Sequence, residues 1–257
     1  MKYFYLVHFQ YLGFRYHGYA VQPEVKTVQK MIERTLSFVL GDLRFKTLVS
    51  SRTDAMVSAN YSIFELFMDE AIDTEWLFEE FNKNIPPDIR VLKIEEVDDK
   101  FNVIQHPKAK EYVYLFSFGA KPHPFSASLI AHFCEDFDLE LMKKGAALFL
   151  GEHNFKNYTK APKENANFIR EITCSHIEEN NLFTANFFPE KTYVYHIHSK
   201  GFMRNQIRYM FGQLINLALG EVDLEGIQKS LESYSESFEK RLAPASGLIL
   251  NKIKFED

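Results

Sequence analysis

The order in which helix-forming and strand-forming stretches follow one another limits what the first part of this chain can become. Lys2 to Tyr11 is rich in aromatic and β-branched residues, which predicts a strand. Thr27 stands where a helix N-cap belongs. Val28, Met31, Ile32, Leu36, Val39 and Leu40 follow at helical spacing, and Gly41 closes the run. Residues 45–50 and 61–68 predict two more strands. Asp73 opens a second helix with Leu77, Phe78 and Phe81 on one side, and Pro86-Pro87 ends it, because proline lacks the N–H a helix needs. Residues 91–97 predict a fourth strand.

This β-α-β-β-α-β order is the split βαβ, or ferredoxin-like, arrangement. The second half repeats it loosely. Strands are expected over 111–118, 169–177, 182–187, 193–199 and 248–255. Helices are expected from Leu139 to Gly151, over 202–219, and from Asp223 through Leu231. The join falls near Gln105 to Lys110. The expectation is an α+β protein with an N-terminal half over 1–108 and a C-terminal half over 109–257, two ferredoxin-like sheets meeting edge to edge around a central cleft.

The chain has 257 residues and a formal net charge of −5. An acidic total argues against a nucleic-acid partner, since phosphate binding needs clustered Lys and Arg. Distribution matters more. From Lys191 to Gly220 the chain has Lys191, Lys200, Arg204 and Arg208 and no Asp or Glu, so a local basic surface is expected. No apolar run reaches the length of a membrane helix. The N-terminus begins like a signal peptide, but His8 and Gln10 interrupt it, which predicts a strand at the start of a cytoplasmic domain. Cys134 and Cys174 form no metal or disulfide pattern and are read as buried thiols. His196 and His198 share a strand face. With no third ligand nearby in sequence, they are read as two strand histidines rather than a metal pair.

The sharpest motif is Ser51-Arg52-Thr53-Asp54-Ala55, a carboxylate beside a guanidinium in a loop between two strands. Alone it is weak, because a loop Asp usually bonds nearby backbone N–H groups. Other segments accompany it in order: Gly13-Phe14-Arg15-Tyr16-His17-Gly18, Ile85-Pro86-Pro87-Asp88-Ile89-Arg90, Lys110-Glu111-Tyr112-Val113-Tyr114, Gly151-Glu152-His153-Asn154-Phe155, Gly201 through Arg208, and Ala243-Pro244-Ala245-Ser246-Gly247-Leu248. In this order and spacing the chain resembles the TruA family of tRNA pseudouridine synthases.

That resemblance implies the pseudouridine synthase fold. It also implies an enzyme that isomerises uridine to pseudouridine in the anticodon stem-loop of tRNA, without cofactor or metal, as a homodimer. The family's catalytic Asp falls on Asp54 and its neighbouring Arg on Arg52. The active-site Tyr falls on Tyr112, the Arg that pairs with the catalytic Asp on Arg204, and the apolar residue under the base on Leu248. Arg208, four residues after Arg204, is expected on the same helix face and in contact with substrate. The sequence departs from the family at Ser51 and Met56, where glycines are usual, at Ser58 in place of His, and at Asn154 in place of Asp. Those changes give a second reading: an RNA-binding paralogue, catalytically weak or directed to another RNA site.

Overall fold

A computed structural model describes residues 2–162 and 165–255, and the described chain is α+β. It divides into two compact units, Met1–Lys108 with Ile249–Asp257, and Ala109–Leu248.

The first unit follows the order read from sequence: β1 Tyr3–Tyr11, α1 Val28–Leu40, β2 Phe45–Val49, β3 Ser58–Met68, α2 Thr74–Asn84 and β4 Ile89–Val97. β1 lies between β4 and β3, antiparallel to both, and β2 adds antiparallel to β3. The sheet order β4-β1-β3-β2 is that of a ferredoxin-like sheet. Being central, β1 buries both faces: Tyr5, Val7, Phe9 and Tyr11 on one, Leu6 and His8 on the other. The Thr27 hydroxyl accepts from the Lys30 N–H, and the Asp73 carboxylate accepts from the N–H groups of Glu75 and Trp76, so both helices start at their side-chain caps. A final strand, β11 Leu248–Lys254, returns to this unit from the far end of the chain and pairs parallel to β3 through Ile249 and Leu250.

The second unit carries β5 Ala109–Phe118, β6 Ala131–Phe133, α3 Leu139–Ala147, β7 Gly151–Asn154, β8 Ile169–Ile172, β9 Cys174–Glu179, β10 Tyr193–Ser199, α4 Gln206–Ala218 and α5 Leu224–Glu232. Its main sheet runs β6-β5-β10-β9, and β7 and β8 form a separate antiparallel ribbon. The core here is aromatic. Phe211 of α4 stacks on Tyr114 at 4.1 Å and meets Phe116 at 4.9 Å, with Tyr195 at 6.0 Å.

Cys134 is exposed and Cys174 half-buried, against their reading as buried thiols, and the helix expected to run to Gly151 ends at Ala147. Three further sequence expectations fail in this unit, each for a local reason. The stretch 169–177 is two strands, because the chain leaves β7 for β10 at Thr173, whose N–H bonds to the His198 carbonyl. Residues 182–187 are loop. The Asn180 side chain accepts from the N–H groups of Leu182 and Phe183 and donates to the Phe183 carbonyl, which takes the backbone out of strand pairing. The helix expected from Phe202 starts only at Gln206, because Asn205 adopts a left-handed φ of 62°.

Truncating Phe211, which is fully buried, leaves a cavity between α4 and the β5–β10 sheet. Phe211→Ala is expected to lower unfolding stability by about 3–5 kcal/mol in urea titration. A loss below about 1 kcal/mol would mean that the aromatic stack does not organise this unit.

Candidate active site

In the first unit the structure clamps the loop that carries Arg52 and Asp54. Gly13 comes so close to it that a Cβ there would sit 2.0 Å from the Val57 carbonyl oxygen. Gly18, at φ +93°, would place a Cβ 2.9 Å from the Thr53 carbonyl oxygen, so only glycine fits. The loop is bonded to the same segment on both sides of Asp54. Tyr19 N–H donates to the Thr53 carbonyl at 3.1 Å, and Met56 N–H to the Tyr16 carbonyl at 3.0 Å. The Tyr11 hydroxyl meets the Thr53 hydroxyl at 2.8 Å. The clamp is itself braced: Arg15 pairs with Asp88 through two nitrogens, and the Tyr16 hydroxyl donates to the same carboxylate at 2.6 Å. The sequence motifs around Gly13 and Asp88 thus serve one loop.

Within the loop, Val57 N–H closes a turn on the Asp54 carbonyl at 3.2 Å. Met56 takes φ 65°, the left-handed conformation a glycine would adopt without cost. Ser58 accepts a hydrogen bond from the Gly13 N–H at 2.9 Å. Met56 and Ser58 are thus both accommodated in the turn, Met56 at a left-handed φ and Ser58 as an acceptor. Asp54 is half-buried and Arg52 exposed.

In the second unit, β5 and α4 together grip the Ala243–Leu248 segment. Arg208 Nε donates to the Ala243 carbonyl at 2.8 Å, and the Ala243 N–H returns to the Arg208 carbonyl at 3.2 Å. The Tyr114 hydroxyl donates to the Pro244 carbonyl at 2.8 Å, and Leu115 N–H to the Gly247 carbonyl at 2.8 Å. This grip brings Arg208 and buried Leu248 to the strand that carries Tyr112. Tyr112 is 6% exposed and meets Phe202 edge-on at 5.3 Å. Tyr114, on the same side of β5, is a core residue. Burial raises its phenol far above the ordinary value.

Arg204 does not share a helix face with Arg208. It lies in the turn ahead of α4 and is exposed, whereas Arg208 is half-buried in the first turns of α4. The Arg204 carbonyl accepts from Lys160 N–H and the Thr159 hydroxyl, and Lys240 Nζ donates to the Thr159 carbonyl. Lys160 and Lys240 are thereby drawn to the Lys200–Arg204 turn. Sequence reading missed both, because they lie about forty residues to either side, in segments with acidic neighbours.

Lys110, two residues before Tyr112, is a further cation that sequence reading left unassigned. Burial pushes its ammonium down from 10.5 to about 8. Below pH 8 the lysine is charged in folded and unfolded chains alike, and burying that charge costs stability in full. Between about 8 and 10.5 the folded chain sheds the proton while the unfolded chain keeps it, so the cost fades. Wild type is therefore expected to gain stability relative to Lys110→Met as pH rises from 8 to 10.5, read as the difference in urea midpoints. A pH-independent difference would place the ammonium in water. For the loop, Met56→Gly relieves the left-handed strain and is expected to gain up to about 1 kcal/mol in the same titration. A loss on that substitution would mean that the Met56 side chain itself holds the turn.

Residues 146–256 match the profile of the tRNA pseudouridine synthase family. Curated relatives align over nearly the full length. The tRNA pseudouridine synthase A of Campylobacter jejuni (serotype O:23/36, strain 81-176) is 32% identical over 247 residues, 95% of this chain and 96% of that protein. The tRNA pseudouridine synthase A 2 of Bacillus cereus (strain ZK / E33L) is 29% identical over 96% of this chain and 97% of its own. The tRNA pseudouridine synthase A of Clostridium botulinum (strain Alaska E43) is 29% identical over 94% and 95%. With a clamped Arg-Thr-Asp loop, a gripped Ala243–Leu248 segment and full-length relatives of one kind, this chain belongs to the tRNA pseudouridine synthase A family.

Proposed function

We propose that this chain isomerises uridine to pseudouridine in the anticodon stem-loop of tRNA, as a cytoplasmic homodimer, without metal or cofactor, with Asp54 as the essential carboxylate. The reaction breaks the N-glycosidic bond, turns the uracil and joins C5 to C1′. An ionised carboxylate serves it as nucleophile or as an aid to proton removal. Tyr112 stacks on the uracil and lies near the C5 proton as base or relay. Leu248 supports the base from its apolar side. Extracting the base from its stem costs a few kcal/mol, and Arg52 contacts the extruded nucleotide.

The observation that carries this reading is the left-handed turn at Met56, held by bonds on both sides of Asp54. The paralogue reading rests on Ser51, Met56 and Ser58. The clamp weighs against it: the Tyr19 and Met56 N–H groups still bond the loop on both sides of Asp54 with these three residues in place. The two arginines divide the work differently from the first expectation. An exposed guanidinium gains little from a carboxylate partner in water. Half-buried and tethered through Nε, Arg208 is the one suited to steadying charge in the reaction. Exposed Arg204, with Lys160, Lys200 and Lys240, suits RNA phosphates.

Tritium release from tRNA labelled at uridine C5 tests the proposal. Wild type is expected to release tritium, and Asp54→Asn to fall by roughly a thousandfold or more while still binding tRNA. Turnover retained in that variant would sink the assignment, and no release by wild type from any tRNA would favour the paralogue. Arg204→Gln is expected to weaken tRNA binding and to lower the salt slope by about 1, with turnover of bound tRNA little changed. Arg208→Lys is expected to do the reverse.

A further inference from the structure

The antiparallel pairing of β9 with β10 sets His176 directly opposite His196 and Cys174 opposite His198. Side chains alternate along a strand, so Cys174, His176 and Glu178 share one face of β9, beside His196 and His198 on β10. The two imidazole rings lie parallel, their centroids 4.8 Å apart. Both turn Nε2 toward one carboxylate: His196 Nε2 is 3.1 Å from Glu178 Oε1, and His176 Nε2 is 3.8 Å from Glu178 Oε2. The three ligand atoms all lie within 4.8 Å of one another, and this is the one such grouping among the described residues.

Two imidazole nitrogens and a carboxylate oxygen form a donor set of intermediate softness. Bonds of about 2.0–2.2 Å from a common ion would hold such atoms roughly 3.5 Å apart, between the 3.1 Å and 3.8 Å that separate the two imidazole nitrogens from the carboxylate here. One ring is already oriented for it. Cys174 Sγ lies 3.3 Å from His176 Nδ1, which engages that nitrogen and presents Nε2 as the ligand, the usual outer-shell support of a metal-binding histidine. The His196 side chain is 14% exposed and fixed by the sheet, while those of His176 and Glu178 are each 53% exposed and leave a path for an ion from solvent.

We propose that His176, Glu178 and His196 bind a divalent transition-metal ion, with Zn2+ as the fitting species. The third ligand that His196-x-His198 lacks in sequence comes from the neighbouring strand. His198 is not in the set; the pair that matters is cross-strand. Carboxylate plus imidazole favours Zn2+ over Mg2+ or Ca2+, which take oxygen ligands. Three protein ligands leave a coordination position for water. β9 is the last strand of the β6-β5-β10-β9 sheet, so the ion would staple an edge strand to its neighbour. The site lies apart from Tyr112, Arg208 and Leu248 in sequence and owes nothing to the catalytic reading.

Calorimetric titration of the chelator-stripped full chain with Zn2+ at neutral pH tests it. The expected result is one ion per chain at this site, with affinity falling by roughly tenfold to a hundredfold in Glu178→Gln and further in His176→Ala and His196→Ala. Co2+ in place of Zn2+ is expected to give visible ligand-field absorption that the same variants lose. A raised melting midpoint with Zn2+, absent in His176→Ala, would show that the ion binds the folded sheet. Zn2+ binding undiminished in these variants overturns the proposal, as does a titration without saturable binding. Should His196→Ala fail to fold, the exposed His176→Ala variant decides the question alone, with circular dichroism as its control.

Discussion

The site in the first unit depends on two backbones passing closer than side chains permit. At Gly13 and Gly18 the segment after β1 lies against the loop that holds Asp54, and any Cβ there would collide with a carbonyl group. Backbone hydrogen bonds then take the place of side-chain packing, and they flank Asp54 at Thr53 and at Met56. Such bonds fix position better than they add stability, because each replaces a bond to water. Half-buried Asp54 thereby gains a fixed position rather than tight burial. This explains why the strained φ at Met56 is tolerated: the turn is over-determined by its neighbours, and the cost of one left-handed residue is spread over a clamp that also includes Arg15, Tyr16 and Asp88.

Much of the first unit was legible because its signals are local. Thr27 and Asp73 cap helices where they stand, Gly41 ends α1 at positive φ, and aromatic and β-branched content marks β1 and β3 as strands. The second unit was harder for the same physical reason. Its boundaries are decided by side chains that satisfy the backbone over short distances, as Asn180 does for Leu182 and Phe183, and by residues that switch conformation singly, as Asn205 does. Apolar spacing carries no trace of either. The helix pattern that ran back to Phe202 was true in composition and false in conformation, and with it went the shared face of Arg204 and Arg208.

Charge shows a parallel limit. The net charge of −5 describes the chain and not its surfaces. Bonds to two carbonyl groups, at Thr159 and Arg204, bring Lys160 and Lys240 to the turn before α4 that carries Arg204, which a count along the sequence would not reveal. The region from Lys191 to Gly220 is free of acidic residues, yet most of α4 is buried, so its contribution to a basic surface narrows to the turn at its start. Anionic RNA is attracted by the local potential, which this clustering raises even on an acidic protein.

The aromatic content divides along similar lines, and burial decides between stacking on RNA and packing in a core. Tyr114 and Tyr195 are fully buried, their phenols held far above the ordinary value by desolvation, and Tyr114 spends its hydroxyl on the Pro244 carbonyl. Tyr112, two residues away on the same side of β5, has Phe202 at its edge. The strand thus uses one tyrosine to anchor the Ala243–Leu248 segment and presents the other beside what that segment carries. Arg208 closes the arrangement from α4 by bonding the same segment at Ala243, so that a substitution at Tyr114 or Arg208 would move Leu248 without touching it. Tyr114, outside the candidate set, thus fixes where Leu248 stands, so the candidate residues alone do not account for the arrangement.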